Sequence, residues 1–247
     1  MTSRIIEGDC RTELIGRGQF DMILADPPYG QTSLGWDRRV DGWERSAIAR
    51  LKPTGSMWLF GSLRFLLETW PALSAAGWRY AQDIVWEKHN GTNLAADRFR
   101  RVHEHVIHLY RADSKWGQVY NEVQTTADAT ARTVRKNGRP AKWIGATGET
   151  VYTSEDGGPR LMRSVLPVRS MHGSAIHPTE KPVALLDILI RTSCPPGGIV
   201  ADLFAGSGAG GEAAAMAGRD YVGCEIDGEM ASRAANRLAQ LLPLVSA

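Results

Sequence analysis

Two short stretches combine the residue types that a reaction centre needs. Asp26-Pro27-Pro28-Tyr29-Gly30 follows the apolar run Met22-Ile23-Leu24-Ala25. The prolines fix φ and remove two backbone donors, so the turn presents acceptors. An aspartate beside a proline carbonyl has no competing donor, which suits it to holding an exocyclic NH2 group. Tyr29 adds a flat face on which a base can stack for ~1–3 kcal/mol. A strand-ending turn capped by aspartate uses some of the same letters. Four of them plus a glycine, directly after an apolar strand, favour the chemical reading.

The second stretch is Ile199-Val-Ala-Asp202-Leu-Phe204-Ala205-Gly206-Ser207-Gly208-Ala-Gly210-Gly211. A strand runs into a glycine-rich turn and an alanine-rich helix, which lets a ligand approach the backbone at a helix N-terminus. Gly206, Gly208 and Gly211 match G-x-G-x-x-G, and Glu225 lies about 20 residues on, where a ribose-binding acid belongs. Alone, this pattern serves an NAD enzyme almost as well as an S-adenosylmethionine enzyme. Asp202, four residues before the first glycine, and Phe204 beside the turn tilt it toward the latter.

Both stretches need a sheet to place them. Strands are expected at 4–8, 20–25, 56–60, 81–87, 104–110, 199–204 and 221–225, with helices at 42–51, 63–76, 182–193, 208–217 and 228–242. Gly77 is placed to end the second helix. Seven strands alternating with helices make an α/β fold, a doubly wound and mostly parallel sheet whose strand ends form a ligand crevice. Residues 112–172 carry no sustained period and are too long for a passive loop. They read as an inserted recognition subdomain between a 1–111 half and a 173–247 half.

Composition narrows the partners. The chain of 247 residues is 43% hydrophobic and 23% charged, which excludes a disordered, collagenous or coiled-coil protein. No apolar run reaches bilayer length and no signal peptide opens the chain, so a cytoplasmic protein without a membrane partner is expected. Cys10, Cys194 and Cys224 are odd in number and widely spaced, which argues for reduced thiols rather than a disulfide framework or zinc. His103, His105 and His108 lack a further ligand nearby, and no metal is expected. The net charge of +2 hides an asymmetry: residues 98–171 hold 13 Lys and Arg against 7 Asp and Glu, the remainder 16 against 20. A basic middle between acidic flanks fits a polyanionic partner, or else a solvated loop rich in arginine.

Taken together, the residues resemble the amino-methyltransferases that modify exocyclic amines of DNA bases, in the circularly permuted group whose catalytic tetrapeptide precedes the cofactor loop. Ile5-Ile-Glu-Gly-Asp9-Cys10, Val85-Trp86-Glu-Lys88, Arg101-Val-His-Glu104 and His177-Pro-Thr-Glu-Lys-Pro182 add to the likeness. The resemblance implies the seven-stranded S-adenosylmethionine-dependent methyltransferase fold in permuted order, with a target-recognition insertion. It implies a methyl transfer to N6 of a flipped adenine in duplex DNA, because the tetrapeptide begins with Asp. Asp26, Pro27, Pro28 and Tyr29 would be catalytic. Asp9, Cys10, Thr179, Lys181, Asp202, Phe204, Ala205, Gly206, Ser207, Gly208, Glu225 and Asp227 would bind the cofactor, Lys181 and Thr179 at its carboxylate. Trp36, Arg38 and Arg39 after the catalytic turn, and Arg132, Arg135, Lys136, Arg139 and Lys142 around Trp143, would meet DNA.

A homodimer and a partner restriction endonuclease follow from the same likeness. The sequence departs from the family pattern at Leu203 and at Ala209-Gly210, where a proline and a threonine pair are usual, so hydroxyl contacts to the methionine moiety are missing. The rival readings are cytosine N4 methylation, an RNA or protein methyltransferase, a dehydrogenase using NAD, and a DNA-binding protein that has lost catalysis.

Overall fold

The computed structural model describes residues 2–92, 96–97, 99–136, 140–141, 145–146, 150–171, 175–177 and 179–245. The chain forms two compact units, Val123–Arg163 and the remainder, Met1–Glu122 with Ser164–Ala247. The larger unit begins β1 (Ser3–Glu7), α1 (Cys10–Glu13), β2 (Phe20–Ala25), α2 (Trp43–Arg50), β3 (Leu51–Gly61), α3 (Leu63–Ala76), β4 (Trp78–Thr92) and β5 (Arg101–Arg111). The smaller unit holds β6 (Thr125–Thr126), β7 (Arg132–Lys136), β8 (Pro140–Ala141), β9 (Gly145–Ala146), β10 (Thr150–Ser154) and β11 (Arg160–Leu161). The chain then completes the larger unit with β12 (Val165–Pro167), α4 (Val183–Ser193), β13 (Ile199–Asp202), α5 (Ala209–Met216), β14 (Asp220–Glu225) and α6 (Gly228–Val245).

The central sheet has eight strands in the order β1-β14-β13-β2-β3-β5-β4-β12. Five of its seven neighbouring pairs are parallel, and β5 runs antiparallel to both β3 and β4. Seven strands were expected; the eighth is the three-residue β12, which carries no periodicity of its own and forms by pairing with the edge of β4. All six residues of β2 are buried, as a strand covered on both faces requires. Alternate residues along the sheet divide between two layers. Ile23, Ala25, Met57, Leu59, Ala201 and Val222 pack with Trp43, Phe65 and Leu73 of the α2 and α3 side. Facing the opposite way, Trp58 donates through Nε1 to Ser193 Oγ of α4 at 2.8 Å.

Local signals account for the elements that carry the site. The Ser62 hydroxyl caps α3 by accepting from Phe65 N at 3.1 Å, and Gly77 ends that helix at φ +96°, as expected. No helix among the described residues is long and apolar enough to cross a membrane. The smaller unit is built from three two-stranded antiparallel pairs, β7 with β10, β6 with β11 and β8 with β9.

Candidate active site

The carboxyl ends of β2, β13 and β14 open into a cavity of about 480 Å³. A strand order that places β13 beside β2 brings the two chemical stretches of the sequence to the same end of the sheet. Asp26 and Pro28 line the cavity; Pro27 is buried beneath them. Tyr29 leans its ring on Phe65, 4.9 Å between centroids, and donates its hydroxyl to Asp26 Oδ1 at 2.7 Å. Burial, with the Asp26 charge adding, pushes the phenol well above its ordinary range, so it stays a neutral donor. The other carboxylate oxygen, Oδ2, accepts from the buried Lys181 ammonium. Two donors therefore orient Asp26 while each oxygen keeps a lone pair for a further N–H.

The glycine turn is held by an acid from the next strand. Glu225 Oε2 accepts from Gly206 N at 2.8 Å and Oε1 from Asp227 N at 3.0 Å. Gly208 begins α5 at φ +77°, a conformation L side chains rarely adopt. At Gly210 a Cβ would lie 2.5 Å from Asp202 Oδ2, so the glycine in place of the usual threonine keeps α5 close against that carboxylate. Asp202 is buried; its Oδ2 accepts from Tyr221 Oη at 3.0 Å and Oδ1 from Phe204 N at 3.3 Å. Burial pushes its carboxyl up to about 7 despite those bonds, and the Asp26 and Glu225 charges add to the rise.

This gives a pH-dependent stability. The folded protein holds the Asp202 proton more tightly than the unfolded chain, whose carboxyl titrates near its ordinary value of 3.8. The stabilising contribution is therefore complete below about pH 4 and lost as the pH rises through about 7. Asp202→Asn, which keeps an acceptor for Phe204 and a polar partner for Tyr221, is expected to melt above the native protein by an amount that grows from pH 4.5 to 8.5, up to about 4 kcal/mol. Thermal melts across that range check it, and a difference independent of pH would refute it.

The cofactor residues expected from the sequence mostly converge on this cavity. Asp9, Cys10, Thr179, Lys181, Asp202, Phe204, Ala205, Gly206, Ser207, Glu225 and Asp227 line it, whereas Gly208 lies behind the turn. Asp9 caps α1 and is ion-paired with Arg11. Cys10 is a buried thiol pushed up to about 12 by its burial. Lys181, expected at a ligand carboxylate, bonds Asp26, with Glu104 Oε2 at 3.6 Å and the Thr179 carbonyl at 3.3 Å. A buried ammonium needs anions close by, and two are provided within the protein.

Residues 30–39 fold over one side of the cavity. Asp37 is buried and accepts from Gly30 N, Gln31 N and Thr32 N at 2.8, 2.9 and 2.7 Å. That staple brings Trp36 to 5.1 Å from the His177 ring. Arg38 is exposed, whereas Arg39 is paired with Glu68 and donates to the Tyr29 carbonyl. Arg132 and Arg135 are exposed on β7, which also carries Lys136; Arg139, Lys142 and Trp143 lie outside the described residues.

Sequence reasoning assigned no role to Glu104 and Glu180, quoted only within motifs, and passed over Arg237. Glu180 pairs with Arg237 at 2.8 Å and accepts from Ile176 N at 2.8 Å, while Arg237 also holds Glu212 at 2.6 Å. These bonds pin the segment carrying Thr179 and Lys181 to α5 and α6. The signal available was charge inside an otherwise apolar helix face, at Arg237.

A family model described as DNA methylase, covering N6 and N4 methylases, matches residues 20–236. The Type II methyltransferase M2.DpnII of Streptococcus pneumoniae is 27% identical over 245 residues, covering 88% of this chain and 82% of its own. The Type II methyltransferase M.HinfI of Haemophilus influenzae is 24% identical over 267 residues, covering 97% and 69%. Among solved structures, M1.HpyAVI in complex with S-adenosylmethionine superposes with a TM-score of 0.66 at 23% identity, over 96% of this chain and all of that one. The cytosine-N4-specific PvuII DNA methyltransferase has the same fold, with a TM-score of 0.62 at 14% identity over 100% and 92% of the two chains. A match spanning most of the chain, on a fold shared with these enzymes, shows that the protein belongs to the N6/N4 DNA methylase family of S-adenosylmethionine-dependent DNA methyltransferases.

Proposed function

We propose that the protein methylates N6 of an adenine turned out of duplex DNA, with Asp26 as the residue that holds the amine. The observation that carries this reading is the Asp26 carboxylate, aimed by Tyr29 and Lys181 into the cavity that Glu225 and the glycine turn also line. The residues fit a cationic cofactor. Glu225 borders the cavity with backbone N–H groups as its hydrogen-bond partners, which leaves carboxylate charge to face a ligand. When bound, S-adenosylmethionine supplies an activated methyl group on a positively charged sulfur. Glu225 would hold the ribose hydroxyls, with residues 204–208 around the methionine portion. Asp9, Cys10, Thr179 and Asp227 would complete the site.

The protein's own part is orientation and charge. An exocyclic amine is a weak nucleophile because its lone pair is delocalised into the ring. Accepting its two N–H groups at Asp26 and the Pro27 carbonyl favours a pyramidal nitrogen whose lone pair points away from both acceptors. The Asp26 carboxylate stabilises the charge that develops on nitrogen, and either it or water then takes the surplus proton. A stacked, paired base cannot reach the end of β2, so the target must leave the helix. Pro28 and Tyr29 would shape the base pocket, and Trp36 would close it with Arg38 and Arg39 near the backbone.

The unit built on β7 and β10 is proposed to read the DNA site, in the permuted arrangement where it divides catalytic and cofactor halves. Arg132, Arg135 and Lys136, with Arg139 and Lys142, supply its positive charge. Arg132→Glu combined with Arg135→Glu is expected to weaken DNA binding and to reduce the slope of log K against log salt by roughly 1 for each phosphate no longer neutralised, with cofactor affinity unchanged. A salt titration of binding checks this. The proposal includes a homodimer acting in the cytoplasm beside a partner restriction endonuclease, the first part tested by sedimentation. The reading as a whole is tested by incubating the protein and S-adenosylmethionine with DNA from a methylation-free host and mapping modified bases. N6-methyladenine at one short site supports it; N4-methylcytosine, or no mark, overturns it.

A further inference from the structure

Beside Asp26 lies a row of charges of alternating sign, partly buried at Lys88 and Glu104 and buried at Lys181. Lys181 pairs with Asp26 Oδ2 on one side and stands 3.6 Å from Glu104 Oε2 on the other. Glu104 Oε1 in turn accepts from Lys88, whose ammonium sits 4.5 Å above the Trp86 ring. Strands β4 and β5 create this arrangement: Glu104 is registered opposite Trp86, and Lys88, two residues further along β4, shares that face. The Lys181 ammonium also sits 5.3 Å from the Phe60 ring, so little water reaches it. Burial would push the Glu104 carboxyl up, yet Lys181 and Lys88 outweigh it and hold it below its usual range. Burial would likewise lower Lys181, and Asp26 with Glu104 reverses that.

Glu104 does not touch Asp26, and its Oε2 is buried with no hydrogen bond. Its role toward Asp26 runs through Lys181. We propose that Glu104 is a positioning residue for the methyl transfer, which draws the Lys181 ammonium partly away from Asp26 and so leaves the Asp26 carboxylate free to accept the amine of the target base. With both anions present, the Lys181 ammonium donates to Asp26 and to the Thr179 carbonyl while the Glu104 carboxylate, 3.6 Å away, attracts it from the other side. Without the charge at 104, Asp26 is the anion left facing Lys181 among the described residues. The carboxylate is then drawn onto the ammonium, and the incoming amine must compete with a full positive charge for its lone pairs.

This inference rests on the reading of Asp26 given above. The test is Glu104→Gln, which keeps the volume and removes the charge. Its kcat is expected to fall roughly 10- to 100-fold, the range a small misplacement of a reacting group produces. The KM for DNA and the Kd for S-adenosylhomocysteine by calorimetry should stay within about twofold, because Glu104 is not among the residues lining the cavity. Lys181→Met is expected to lose activity as well, and Glu104→Gln placed on it should cause no further loss, since the effect passes through Lys181.

Unchanged kcat in Glu104→Gln, equal loss of cofactor or DNA affinity, or losses that multiply in the double variant would each overturn the proposal. Should Glu104→Gln fail to fold, Glu104→Asp, which keeps the charge but retracts it by one methylene, carries the same expectation of a lowered kcat at unchanged KM. An unchanged kcat there would overturn it too. Asp26→Ala measured alongside separates the two ideas. An active Asp26→Ala protein removes the reading of Asp26, whereas an inactive one beside fully active Glu104→Gln removes only the role of Glu104.

Discussion

Asp26→Ala is expected to lower the rate of methyl transfer by about 10³-fold or more while S-adenosylhomocysteine binds within about twofold of the native affinity. The carboxylate is the only group of the turn that combines negative charge with acceptors directed into the cavity. Its removal takes away both the orientation of the amine and the charge that steadies the nitrogen as it becomes cationic. It also leaves the Lys181 ammonium without that counter-charge next to the developing cation. The loss therefore falls on kcat rather than on cofactor affinity, which depends on groups at the ends of β13 and β14. Asp26→Asn is expected to fall between the two proteins, because one amide oxygen still accepts an N–H but the charge is gone. Single-turnover kinetics with calorimetry on the same preparations check both; native activity in Asp26→Ala would remove the mechanism.

The second large effect is expected at Glu225. Glu225→Gln should weaken binding of S-adenosylmethionine roughly 100-fold, with kcat at saturating cofactor within a few-fold of native. The native carboxylate receives N–H bonds on both oxygens, from Gly206 and from Asp227. A glutamine has one oxygen and one NH2 at those positions, so its amide must set a donor against one of the two backbone donors. The glycine turn then loses the tie that fixes it to β14, and the acceptors proposed for the ribose hydroxyls lose their charge. Hydrogen bonds to a charged group contribute ~1.5–3 kcal/mol each, which places the expected loss near two powers of ten. Equal affinities by calorimetry would show that the cofactor does not meet this acid.

The sequence determined what local forces control. The strand expected at 20–25 around the apolar run Met22–Ala25 became β2 over the same residues, and Ser62 with Gly77 set both ends of α3, because a cap and a left-handed glycine act within one turn of chain. Asp26 and Glu225 were legible for a similar reason: each stands at the end of a strand beside a turn whose residue types permit little else.

Non-local pairing decided the rest. Strand β12 was not foreseen because three residues hold no period, and they become a strand only where the edge of β4 offers hydrogen bonds. Asp37 looked like one more loop residue until its carboxylate gathered three backbone donors. The sequence marked Lys181 as a ligand contact on the cavity, and only the structure shows that it also bonds Asp26, 155 residues away, beside Glu104. Residue types and spacing select which turns can form, since those energies are spent within a few residues. Which buried charge faces which is decided only when the sheet closes and each ion must find a counter-charge out of water.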